Sequence, residues 1–273
     1  MFNRSKIGNG RHISIKSLTK KILLALALVY IIAGAFLYLN QRKFLYRPQP
    51  GVLQINEQVI EISVNKIILR GWVVNRNRND AIIYFGGNAE RPEASLEDFK
   101  YLFNNHTVYM INYRGYGESD GSPTEKHLCL DAVAIYDHIA DDHDHISVIG
   151  RSLGSGVAVY LATERDVHRL VLVEPYGCMA DIAQSLYPIF PVKLMMTDPY
   201  NSAQRVQNIT APTLIIKAEN DEVISAESTD DLVTHFSLIT PQVETVYNAT
   251  HNDIQRYPGY HMLLRDFVTG TDE

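Results

Sequence analysis

The chain has 273 residues, of which 46% are hydrophobic and 21% charged, and its formal net charge is -6. This length suits one large α/β domain with a short appendage. The ordinary composition, with no low-complexity tract, heptad run or internal repeat, excludes disordered, coiled-coil and solenoid chains.

The charge is unevenly placed. Residues 1–47 carry nine basic side chains (Arg4, Lys6, Arg11, Lys16, Lys20, Lys21, Arg42, Lys43 and Arg47) and no acidic one. Residues 48–273 hold 16 basic against 31 acidic residues, a net of -15. So acidic a domain repels a phosphate backbone, and no nucleic-acid partner is expected. The basic segment flanks an apolar run and suits a membrane lipid bilayer as partner.

The apolar run is Ile22 to Leu39, eighteen residues without a charge. As a helix it extends ~27 Å, enough to cross a bilayer. Six basic residues precede it and three follow. The positive-inside rule therefore predicts a single pass with a cytoplasmic N-terminus and the large domain on the extracytoplasmic side, periplasmic or lumenal. A signal peptide cleaved at Ala33-Gly34-Ala35 and a buried core helix are the alternatives. The run continues through Phe36, Leu37 and Leu39, and no comparable partner helix lies at this end; both facts favour an uncleaved anchor. The expected organisation is a basic tail at 1–21, an anchor at 22–39, a juxtamembrane linker at 40–57 and a globular domain at 58–273.

Beyond Pro50, β-rich and helical segments alternate. Val59–Val64 and Ile67–Val74 read as an antiparallel strand pair. Strands are expected at Ala81–Phe85, Thr107–Asn112, Ile146–Ile149, Leu170–Glu174, Thr213–Lys217 and Val243–Tyr247. Helices are expected at Glu93–Asn104, Thr124–Ala140, Leu153–Thr163, Ala226–Phe236 and Gly259–Val268, with Thr124 as an N-cap. The alternation predicts a mostly parallel sheet covered on both faces, with ligands at the carboxyl ends of its strands.

Chemistry is concentrated at those ends. Gly150-Arg151-Ser152-Leu153-Gly154 is a G-x-S-x-G between an expected strand and an expected helix, the setting of a nucleophile elbow. The pattern alone is weak; its context makes Ser152 the candidate nucleophile. A serine hydroxyl needs a base, and the base an orienting acid, in the chain order serine, acid, histidine. Asp221 follows the strand Thr213–Lys217 and His251 follows Val243–Tyr247. Glu219 and Glu222 are rival acids, and His261 is a rival base whose helical setting suits packing. Oxyanion donors are expected from the Leu153 amide and from the loop Gly86-Gly87-Asn88-Ala89-Glu90. His138, His143 and His145 lie in or beside a polar turn and are expected to be solvated. No metal, nucleotide or flavin motif occurs, so no cofactor is expected. Cys129 and Cys178 allow one disulfide but read as two buried thiols.

The stretch from Asn112-Tyr113-Arg114-Gly115-Tyr116-Gly117 to Pro123-Thr124-Glu125 resembles the corresponding loop of membrane-anchored α/β-hydrolase domain proteins, a group that includes protein depalmitoylases. The similarity extends through Phe44–Pro48, Gly150–Gly156, Glu174-Pro175-Tyr176, Pro212–Val223 and His251–Ile254. It implies the α/β-hydrolase fold: a mostly parallel sheet with helices on both faces and a short cap, preceded by one N-terminal transmembrane helix. It also implies Ser152, Asp221 and His251 as the triad, and Asn88 and Leu153 as backbone oxyanion donors. The family usually has His-Gly-Asn-Ala-Gly where this chain has Gly86-Gly87-Asn88-Ala89-Glu90. The departure removes a side chain that fixes the loop and adds a charge near the mouth of the site. A cap is expected over about 176–208. Gly87, Tyr176, Leu186 and Phe190 are the substrate-pocket candidates, the last two as part of an apolar wall suited to an acyl chain. The expected activity is cleavage of carboxylic esters or thioesters of small-molecule, acylated or lipid-like substrates. Peptidase or acyltransferase chemistry on the same triad is the alternative, as is a catalytically silent binding protein of the same fold. The sequence leaves the oligomeric state open.

Overall fold

The computed structural model describes residues 15–51 and 58–270. The basic residues Arg4, Lys6 and Arg11 and the linker residues 52–57 lie outside the described residues. The chain divides into two units, residues 1–41 and 42–273. The first is dominated by helix α1, Ile15–Leu45, which is long and apolar enough to cross a membrane. Leu23, Leu28 and Ile31 on it are exposed, which a core helix would not allow.

The second unit begins earlier than the sequence suggests. Instead of a linker from residue 40, α1 runs on to Leu45, because nothing before Pro48 breaks it. Tyr46 is buried, and its hydroxyl shares a 3.0 Å hydrogen bond with the Tyr200 hydroxyl. Arg42 Nε donates to Asp198 at 2.8 Å. One aromatic and one ion pair thus draw the juxtamembrane segment into the globular unit.

The elements of that unit follow in chain order: β1 Gln58–Val64, β2 Ile67–Val74, β3 Asp80–Phe85, α2 Leu96–Leu102, β4 His106–Ile111, α3 Glu125–Ile139, β5 His145–Arg151, α4 Leu153–Glu164, β6 Leu170–Val173, α5 Met179–Leu186, α6 Val192–Met195, α7 Ser202–Arg205, β7 Thr213–Asn220, α8 Ala226–Thr234, β8 Gln242–Thr250 and α9 Pro258–Thr269. Thr124 caps α3 by accepting from the His127 amide. The helix expected from Glu93 starts as a 3₁₀ turn at Pro92–Ser95 and becomes α-helical at Leu96.

Eight strands form one sheet in the order β1-β2-β4-β3-β5-β6-β7-β8. β1 pairs antiparallel with β2, and β2 antiparallel with β4; from β4 onward every pair is parallel. The central strands are largely buried, β4 and β6 along their entire length, as a sheet covered on both faces requires. One layer of core packs α3 and α4 against Ile83, Val148, Leu170 and Leu172; the other packs α2 and α9 against Ile82, Ile149, Val171 and Ile216. Between β6 and β7 the chain leaves the sheet as three short helices, α5 to α7, where the cap was expected. His138 and His145 are exposed, as expected, and the half-buried His143 is hydrogen-bonded to Tyr109 and to the Arg78 carbonyl. Cys129 and Cys178 are free thiols, the first buried and the second half-buried.

The closest helix–sheet approach is at Gly154, where a Cβ would stand 2.1 Å from the Phe85 carbonyl oxygen. At Gly259, near the start of α9, a Cβ would meet nothing within 4 Å. Gly154→Ala is therefore expected to cost about 3 kcal/mol, the upper end for overpacking, since backbone cannot yield cheaply. Gly259→Ala is expected to be neutral or to gain up to about 1 kcal/mol through helix propensity. Urea unfolding followed through Trp72, the single tryptophan and a fully buried one, measures both.

Candidate active site

Ser152 sits between the end of β5 and the start of α4 with φ 48° and ψ -115°, a conformation a non-glycine residue adopts only when its surroundings impose it. Its amide donates to the Val173 carbonyl at 2.9 Å, and its carbonyl accepts from Ser155 Oγ at 2.7 Å. A Cβ at Gly150 would stand 2.5 Å from the Gly154 carbonyl oxygen, so the flanking glycines let the turn close. Leu153 opens α4, and its amide has no acceptor within the helix.

His251 follows β8 and Asp221 follows β7. Asp221 Oδ1 accepts from the amides of Val223 and Ile224 at 2.9 and 2.7 Å, which turns Oδ2 toward the histidine. His251 Nδ1 lies 2.9 Å from that Oδ2, and Nε2 lies 3.0 Å from Ser152 Oγ. An ionised carboxylate only accepts, so Nδ1 carries the proton and Nε2 is left to accept from the serine. The structure thus brings Ser152, Asp221 and His251 into one hydrogen-bonded chain. The rival acids serve the same loops. Glu222 accepts from the His251 amide and Glu219 from the Asn248 amide, while His261 lies on α9 with its ring against Tyr260.

The sequence reading missed Glu174. It follows β6 at φ 50°, its side chain is fully buried, and its Oε2 lies 3.6 Å from His251 Nδ1. Its other oxygen is buried without a hydrogen-bond partner. Burial pushes its carboxyl up to about 7, against the pull of Arg151 and His251. The rule that picks out Asp221 and His251, residues just past strand ends, picks out Glu174 when applied to β6.

Arg151 ties these parts together. It donates to Glu174 Oε2 and Glu90 Oε2, both at 3.2 Å, and to the His251 carbonyl at 2.6 Å. Glu90 also accepts from the Gly87 amide at 2.7 Å and from the Tyr84 hydroxyl. Far from standing free at the mouth, the Glu90 charge is paired inside the loop. A Cβ at Gly86 would lie 3.3 Å from Glu90 Cδ, so the two departures from the family pattern are coupled: the side chain missing at Gly86 makes room for the carboxylate at Glu90. Tyr113 holds the loop through a 2.7 Å bond to the Gly86 carbonyl. The Asn88 side chain is bonded to Leu45, Arg47 and Tyr116, which leaves its backbone as the part free for chemistry.

The pocket candidates separate. A Cβ at Gly87 would lie 3.6 Å from Ser152 Cβ, so that residue borders Ser152. Tyr176 is fully buried under α4 with its hydroxyl donating to the Leu153 carbonyl at 3.3 Å; it packs the elbow from behind, because Gly156 leaves space for its ring. Phe190 is buried, whereas Leu186 is 70% exposed.

No protein-family model matches the chain. It is 29% identical to an uncharacterised protein of Mycobacterium tuberculosis, over 90% of this chain and 94% of that one. An uncharacterised membrane protein of Saccharomyces cerevisiae is 27% identical over 78% of this chain and 79% of its own. Alpha/beta hydrolase domain-containing protein 17B of Xenopus tropicalis is 29% identical over 60% of this chain and 57% of its own. An esterase of Pyrococcus furiosus superposes with a TM-score of 0.66 at 20% identity, covering 82% of this chain and 98% of that one. The fold is that of the α/β-hydrolases.

The raised Glu174 carboxyl carries a stability signature. In the unfolded chain it ionises near 4.5; in the folded chain it holds its proton to about 7. Its contribution is therefore fully present below pH 4.5 and is lost as the pH rises to 7, by about 3 kcal/mol in all. Glu174→Gln cannot ionise, so the stability difference between variant and wild type is expected to move by that amount in the variant's favour across this window. Urea midpoints of the full chain in detergent, taken at several pH values, measure it. A difference that does not change with pH would mean that the carboxylate is charged throughout.

Proposed function

We propose that the protein is a membrane-anchored serine hydrolase that cleaves carboxylic esters or thioesters of acylated or lipid-like substrates. The observation that carries this reading is the hydrogen-bonded chain from Ser152 through His251 to Asp221. Ser152 Oγ attacks the carbonyl carbon while His251 Nε2 takes its proton. Asp221 orients the ring and stabilises the imidazolium. The tetrahedral oxyanion is held by the amides of Leu153 and Asn88; the Gly87 amide is engaged by Glu90, which supports Asn88 as the loop's donor. His251 then gives the proton to the departing alcohol or thiol. Water, with His251 again as base, releases the acid from the acyl-enzyme. The scheme uses no metal and no cofactor.

Lipid-like substrates are supported by the apolar helix α1 and by the apolar composition of the cap. A relative described as a membrane protein and a structural neighbour described as an esterase agree with this reading. The excess of basic residues before the apolar run supports a cytoplasmic N-terminus and an extracytoplasmic domain. Protease added outside sealed, inside-in cell membranes is then expected to reach the domain but not the N-terminal tail.

The test is labelling of the detergent-solubilised chain by a fluorophosphonate. Labelling is expected to vanish in Ser152→Ala and to fade in Asp221→Ala and His251→Ala. Hydrolysis of a long-chain thioester is expected to fall on the order of 10⁴–10⁶-fold in Ser152→Ala. A folded wild type that takes no label would defeat the reading and favour a binding protein.

A further inference from the structure

The apolar residues of the cap do not all face inward. Leu186 and Ile189 are 70% and 71% exposed, Leu194 is 89% exposed, and Tyr187 stands half-exposed beside them. Singly exposed apolar residues are ordinary on a soluble protein, whereas four large ones within nine residues form a surface that water does not favour. The stretch 186–197 contains one charge, Lys193, and that is paired with Asp181.

The position of this surface is fixed from the other side by Asp198. That residue is buried and holds the Arg42 guanidinium. Arg42 lies three residues past Leu39, the end of the apolar run, or about 4.5 Å along a helix. Leu194 lies four residues before Asp198, at most about 14 Å of chain. The apolar tip of the cap is therefore joined, through about 14 Å of chain and one ion pair, to a residue three positions beyond the apolar run.

We propose that Leu186, Tyr187, Ile189 and Leu194 dip into the headgroup region of the bilayer that α1 crosses, so that the cap is a lipid-contacting surface. The proposal rests on the anchor reading above. Its chemistry fits one partner: an apolar, nearly uncharged tip with a tyrosine at its edge suits the interfacial layer, where aromatic rings with a polar end collect. The domain's net negative charge lies elsewhere and is left in water. Substrates carrying a long acyl chain would then meet the cap from within the lipid.

The test uses the full chain with Cys178→Ser, carrying Leu194→Cys, Leu28→Cys or Tyr247→Cys, each labelled with an environment-sensitive fluorophore. Each is reconstituted into phosphatidylcholine vesicles whose acyl chains bear spin labels just below the headgroups. Tyr247 is 69% exposed on β8, and serves as the water-facing reference. The label at position 194 is expected to shift to the blue and to lose about half its intensity to spin labels sited about 5–10 Å below the surface. The label at position 247 is expected to change little. Equal behaviour at 194 and 247 with quenching at 28 would overturn the proposal while leaving the anchor intact. No quenching at 28 would overturn the anchor, and the cap proposal with it. A blue shift at 194 without quenching would put protein on the patch, a second copy of the chain included, and would also overturn the proposal.

Discussion

Three parts of the site that are far apart in sequence depend on the guanidinium of Arg151. Through it the oxyanion-loop carboxylate Glu90, the β6 carboxylate Glu174 and the backbone of His251 share one planar, permanently charged donor. In so buried a place an unpaired charge of either sign is costly, and losing one partner of such a network typically costs about 3–5 kcal/mol. Arg151 is the variable residue inside the G-x-S-x-G turn, so the strained elbow that lifts Ser152 also carries the group that fixes the loops around it. The proposed nucleophile and the framework around it are adjacent residues.

The same network makes sense of the oxyanion loop. Gly86-Gly87-Asn88-Ala89-Glu90 lacks the histidine that opens the loop in the family it resembles, and a charge closes it. Space and charge compensate each other: the carboxylate of Glu90 lies where a side chain on residue 86 would crowd it, and it takes up the Gly87 amide. Asn88 ties the other end of the loop to the Leu45 carbonyl and the Arg47 amide. The segment that follows the apolar helix is thus bonded directly to the loop proposed to hold the oxyanion. Glu174 adds a second carboxyl near the imidazole, one that burial keeps protonated up to about neutral pH.

Membrane attachment and domain architecture meet in a short stretch. Arg42, Tyr46 and Arg47 are only a few residues beyond the apolar run, yet they contact Asp198, Tyr200 and Asn88. Asp198 and Tyr200 close the cap excursion before β7. The first residues of the juxtamembrane segment expected at 40–57 are thus bonded into the globular unit.

The sequence alone determined the order and type of the sheet's elements, because apolar period and strand–helix alternation are local properties that survive without tertiary information. It also determined Ser152, Asp221 and His251 as candidates: a glycine-flanked serine at a strand–helix junction, and an acid and a histidine just past later strands, are marked by position along the chain. Tertiary structure decided what depends on contacts between distant residues. The linker after Leu39 was a helix that joins the domain, since only folding presents Asp198 to Arg42 and Tyr200 to Tyr46. Glu90, which read as a free charge, is paired because β5 brings Arg151 across to it. Glu174, although its place just past β6 marks it in the sequence, is shown to belong to the site only by its 3.6 Å approach to His251. Leu186 and Phe190, alike in sequence as members of one apolar wall, differ in the fold, one on the surface and one buried, because burial is a property of the packed whole and not of the residue.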